Sequence, residues 1–140
     1  MLERPPVNPA ENLREVRSAL ADIHLAALAL PLLEPDESGP EEPAVDASHL
    51  CTARLTSFPV ALYWDQFDPL KPEPEAPVAN SIADDLRDIY VDLKRGLTLY
   101  QAGALVAACW SWRFSFEIHW GEHLVGLQRA LYLMSRDPCG

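Results

Sequence analysis

The sequence predicts an all-α fold, a small helical bundle around a long, apolar C-terminal helix, and three observations carry that expectation. Apolar residues recur at spacings of three and four over residues 13–30 and 82–97, the period of one helix face. Residues 104–136 contain no proline, so nothing there forbids a helix. Twelve of the 13 prolines fall at or before Pro77, which confines the breakers to the first half. With 140 residues, 49% of them apolar, the chain is long enough to fold as one domain without disulfides or metals.

Each element follows in order. A first helix is expected over about 9–30: Asn8 is a capping residue, Pro9 suits the first helical position, and Glu11 stands where a capping-box acid reaches back. Leu13, Val16, Leu20, Ile23, Ala27 and Leu30 form its apolar stripe, and Pro31 ends it. Residues 31–46 hold four prolines and six acids with no base, the composition of an acidic loop that buries little. A short helix is expected near 48–57. Val60 to Trp64 is apolar enough for a strand but has no visible partner, and Pro69, Pro72, Pro74 and Pro77 follow it. An irregular segment whose Tyr63, Trp64 and Phe67 dock onto helices is therefore expected at 60–77.

The best-defined helical part is 78–136. Asn80 or Ser81 caps a helix over about 80–100, with Ile82, Leu86, Ile89, Tyr90, Leu93 and Leu97 on one face and Asp84 and Asp85 in the first turn. From about 104 to 135 a last helix is expected, with a kink or break near Gly121. Val106, Cys109, Trp110, Trp112, Phe114, Phe116, Ile118 and Trp120 surround its first half, so it is expected to be central and buried on all sides.

Charge narrows the function classes. The net charge is −10, and residues 1–77, with 14 acids and 5 bases, carry −9 of it. Nucleic acid and anionic membranes reward clustered Lys and Arg, so neither is expected as a partner, whereas a basic protein suits the acidic half. Cys51, Cys109 and Cys139 are odd in number and lack C-x-x-C spacing, and Met1-Leu2-Glu3-Arg4 has no signal-peptide character. A cytoplasmic protein with reduced thiols is expected.

Two polar blocks stand out. His119-Trp120-Gly121-Glu122-His123 fits H-x-x-E-H, in which two histidines one turn apart bind zinc, although glycine is a poor helix former and little chain remains for a distant third ligand. Asp85, Asp88 and Asp92 line one edge of the 80–100 helix, where like charges repel unless histidines, Arg113 or a cation compensate them. Arg113 and Glu117, four apart in the most apolar stretch, are expected to be buried and paired, with each other or with an aspartate. The candidate polar cluster is thus Asp85, Asp88, Asp92, Arg113, Glu117, His119 and His123.

The run Ala83-Asp84-Asp85-Leu86-x-Asp88-Ile89-Tyr90-x-Asp92-Leu93-Lys94-x-Gly96-Leu97, followed by Trp112-Arg113-Phe114-Ser115-Phe116-x-x-His119-Trp120-Gly121-x-His123, resembles a family of small bacterial helical proteins catalogued as a domain of unknown function, number 5063. The likeness spans about residues 60–133. It implies an all-helical fold and assigns no catalytic residue. The expected function is a non-catalytic, protein-binding interaction domain without a cofactor, in which the acid and histidine blocks meet as a hydrogen-bonded cluster. The alternative is a divalent-metal-binding or hydrolytic protein using His119, His123 and Asp85, Asp88 or Asp92.

Overall fold

The computed structural model describes residues 1–66, 68–73 and 75–136. The expectations placed on Phe67, Pro74 and Cys139 lie outside these residues. The fold is mostly helical: α1 (Pro9–Leu28), α2 (Thr52–Thr56), β1 (Leu62–Asp65), β2 (Val78–Ser81), α3 (Ile82–Gln101), α4 (Leu105–Ser115) and α5 (Gly121–Arg136). Among the described residues no helix is long and apolar enough to cross a membrane.

Helix α1 starts as its residues dictate, with Pro9 at the first turn and the Asn8 side chain accepting from the Glu11 N–H at 2.8 Å. Val16, Leu20 and Ala27 of its stripe are buried. They meet Leu86 and Ile89 of α3 and Leu124, Leu127 and Leu131 of α5 in one core. Ser81 caps α3, accepting from the Asp84 N–H at 3.2 Å. The 31–46 segment has no regular structure beyond a turn closed by the Gly39 N–H donating to the Asp36 carbonyl at 2.9 Å, and all six of its acids are exposed.

Three sequence expectations are corrected. Val60 to Trp64 does find a partner: β1 pairs antiparallel with β2, Leu62 opposite Ser81 and Asp65 opposite Val78. The partner lies across the proline-rich connection, so no local pattern announces it. The helix expected from 78 or 80 accordingly begins at Ile82. Strand alternation also separates the two aromatics, burying Tyr63 and leaving Trp64 71% exposed rather than docked.

The last helix is not central throughout. Helix α4 packs on α3, where the Trp112 indole lies against Gly96 and donates to the Leu93 carbonyl at 2.9 Å; Ala108 and Ser111 are buried, while Leu105, Val106, Phe114 and Ile118 remain exposed. Its apolar residues outnumber the faces that neighbours cover, and the core is built mainly by α1, α3 and α5, joined by Leu55, Tyr63 and Trp120. The break falls one turn before Gly121: Phe116–Trp120 is a π-helical turn.

A buried arginine ties the first half together. Arg54, 5% exposed, donates through Nη1 to Asn12 Oδ1 at 3.0 Å and to Glu15, through Nε to the Arg4 carbonyl at 3.0 Å, and through Nη2 to the Pro5 carbonyl at 3.3 Å. Asn12 Nδ2 in turn donates to the carbonyls of Arg54 and Ser57. Charged donors buried in this way require such complete pairing.

Candidate functional site

Helix α3 and the π turn entering α5 bring the acid and histidine blocks face to face. A π turn holds one more residue per hydrogen-bonded ring than an α turn, and such bulges inside α-helices recur at functional sites. Here the Gly121 N–H donates to the Phe116 carbonyl five residues back. A Cβ on residue 121 would lie 2.3 Å from that carbonyl oxygen, so glycine is what the turn admits. The residue that counted against a regular helical motif is the one that sets the phase of the two rings.

His119 and His123 sit with ring centroids 4.9 Å apart and planes at 87°. Nδ1 of His119 lies 2.6 Å from Asp92 Oδ2, and Nδ1 of His123 lies 2.9 Å from Asp85 Oδ1. Both of these aspartates are buried, and each spends its other oxygen elsewhere: Tyr63 OH donates to Asp85 Oδ2 at 2.6 Å, and Arg95 Nη1 donates to Asp92 Oδ1 at 2.9 Å. A carboxylate accepts only, so each neutral ring carries its proton on Nδ1 and its lone pair on Nε2. Hydrogen bonding to Asp85 holds His123 above the ordinary imidazole pKa, with burial pulling the other way.

Both Nε2 atoms face the third aspartate. Asp88 Oδ2 is 3.6 Å from Nε2 of His123 and 4.0 Å from Nε2 of His119, beyond hydrogen-bond length. One ligand atom from each of Asp88, His119 and His123 lies within 4.8 Å of the other two. Metal–donor distances of about 2.0–2.1 Å place neighbouring donors of a tetrahedral shell about 3.4 Å apart, so side-chain shifts of about half an ångström bring the Asp88–histidine pairs to that spacing. The surrounding charge agrees. Asp84 is answered by Arg87, and among the described residues only Asp92, of Asp85, Asp88 and Asp92, has an arginine. The face therefore keeps two formal negative charges for a cation or for imidazolium protons to offset.

Arg113 and Glu117 stand apart from this cluster. Arg113 is half-buried rather than buried, 28% exposed, with Nε 3.2 Å from Glu117 Oε1 and Nη1 donating to the Leu30 carbonyl at 2.8 Å. Among the described residues, neither is hydrogen-bonded or ion-paired to an aspartate of α3 or to a histidine. The candidate cluster expected from the sequence leaves out two members of the site. Arg95 was signalled by its i, i+3 spacing from Asp92. Tyr63 carried no such signal, because it arrives through the long-range strand pairing. Gly126 permits that approach, since a Cβ there would meet Tyr63 Oη at 2.6 Å.

Residues 7–136 match the sequence model of a family described as a domain of unknown function (DUF5063), and the chain belongs to that family. No curated protein and no solved structure matches it.

Proposed function

We propose that this member of the DUF5063 family binds a divalent transition-metal ion through Nε2 of His119, Nε2 of His123 and the carboxylate of Asp88. The observation that carries this reading is the division among the four ring nitrogens. Both Nδ1 atoms are engaged by buried carboxylates, while both Nε2 lone pairs face one half-buried carboxylate. Metal-ligating histidines are commonly held in this way, a carboxylate on the far nitrogen fixing tautomer and orientation and raising ligand basicity. Two imidazoles and one carboxylate suit zinc or iron(II) better than magnesium or calcium, which take oxygen donors.

Three protein donors leave a coordination position for water, and zinc in such sites lowers that water's pKa to about 7. His119 and Asp88 are each nearly half exposed, so the open position is accessible from solvent. The test is metal analysis of the full chain purified without an affinity tag and equilibrated with zinc. One ion per chain is expected, lost in the His119→Ala, His123→Ala double variant and kept in Asp84→Asn. A chain that holds no stoichiometric ion, or a double variant that keeps it, would contradict the reading.

A second reading rests on the 31–46 segment, whose six exposed carboxylates suit a basic protein partner. Binding of such a partner should weaken steeply with added salt and be lost when Glu34, Glu37, Glu41 and Glu42 are changed to glutamine. Salt-insensitive binding would point to another surface.

A further inference from the structure

A cavity of about 370 Å³ opens between α1 and α3, on the other side of α3 from the histidines. Its wall is apolar, built from Val16, Leu20 and Ile23 of α1 and Leu86, Ile89 and Leu93 of α3. Close-packed interiors leave few voids larger than a water molecule, whereas ligand pockets run from about 300 to 1,000 Å³ and pair apolar walls with a few convergent polar groups. Such groups stand at the rim. Tyr90 OH donates to Glu3 Oε1 at 2.8 Å, and Lys94 Nζ lies 3.8 Å from the same oxygen.

The chain therefore demonstrates what the rim accepts. A carboxylate sits between a phenol donor and an ammonium, and Leu2, beside it in sequence, packs against the core. Met1, Leu2 and Glu3 thus lie over the cavity as an apolar group with an acidic head would. We propose that the cavity takes a single-chain amphiphile with a carboxylate head, a medium-chain fatty carboxylate, whose tail lies between α1 and α3. Its head replaces Glu3 at Tyr90 and Lys94. The exchange conserves charge at the rim, and the segment carrying Glu3 is held to the neighbouring loop by the Cys51 N–H donating to the Leu2 carbonyl.

The test is calorimetric titration of the full chain with hexanoate, octanoate and decanoate below their micelle concentrations. Saturable one-to-one binding is expected, tightening about fourfold per methylene, the equivalent of about 0.8 kcal/mol of apolar burial. The Tyr90→Phe, Lys94→Gln double variant should weaken decanoate at least tenfold and leave 1-decanol unchanged, and Glu3→Gln should tighten decanoate by removing the internal competitor. Absent saturation, an affinity indifferent to chain length, or a double variant that leaves decanoate unmoved or weakens decanol equally would overturn the proposal.

Discussion

Two clusters of buried charge, one in each half of the chain, are built to opposite plans. Around Arg54 the guanidinium nitrogens donate to Asn12, Glu15 and the carbonyls of Arg4 and Pro5, and Asn12 returns its own protons to two further carbonyls. The knot is closed. Between α3 and α5 the buried carboxylates of Asp85 and Asp92 are equally well used, but they spend themselves on holding two rings whose outer nitrogens face Asp88 across 3.6 and 4.0 Å. A closed cluster joins parts of the fold, here the N-terminal segment, α1 and α2. An open one leaves donors facing one another, and the proposed metal site rests on that arrangement.

The largest expected effect separates the two plans. Arg54→Met leaves Asn12 and the Arg4 and Pro5 carbonyls without their donor, and Glu15, 39% exposed, without its cation; with hydrogen bonds to a charged group worth about 1.5–3 kcal/mol each, the loss should be about 3 kcal/mol or more. Asp88→Asn, by contrast, should change the stability of the metal-free chain by no more than about 0.5 kcal/mol and yet remove metal binding, since its side chain is 45% exposed. Urea denaturation of both variants checks the pair, and a strongly destabilised Asp88→Asn would show a second closed knot.

Next in size is Gly121→Ala. Its Cβ would collide with the Phe116 carbonyl, so the turn must reset at about 1–3 kcal/mol, and the rings then leave their phase. Weakened zinc binding together with a lowered melting temperature is expected. An unchanged affinity would show that the π turn does not position the histidines.

Arg113→Met should cost about 1 kcal/mol or less, because the Glu117 partner is more than half exposed and water screens the pair. A larger loss would assign the structural weight to the Leu30 carbonyl contact. The mildest effect is on pH. In the metal-free chain His123 keeps its proton above the ordinary value near 6.5, so its stabilising pairing with Asp85 is full below that pH and fades as pH rises through the raised value. Metal must displace the imidazolium proton on Nε2 while the Nδ1 proton stays on Asp85, so zinc affinity should begin to fall, on acidification, at a pH above 6.5. Titration at several pH values checks the sign.

Local signals in the sequence were enough to mark α1 and α3, where caps and stripe agree. They also marked Asp85, Asp88, Asp92, His119 and His123, because i, i+3 and i+4 spacings place residues on one helix face whatever surrounds it. What local pattern could not show came from long-range placement. The β1–β2 pairing, and with it Tyr63 against Asp85, depends on two segments separated by the proline-rich connection. The exposed face of α4 was misjudged for a related reason: an apolar helix is buried all round only if neighbours exist to cover it, and residue types do not count neighbours. Gly121 read as a defect until the π hydrogen bond supplied its purpose.

The rings of His119 and His123 are held by their inner nitrogens, Nδ1, and turn the outer ones, Nε2, toward Asp88. Nitrogen-15 NMR of the two imidazoles, recorded as zinc is added to the metal-free chain, tests this most directly. The predicted result is that both Nε2 resonances move to metal-bound values at one equivalent while both Nδ1 atoms stay protonated. Rings that remain imidazolium in the presence of stoichiometric zinc, or a metal that appears on Nδ1, would contradict the account.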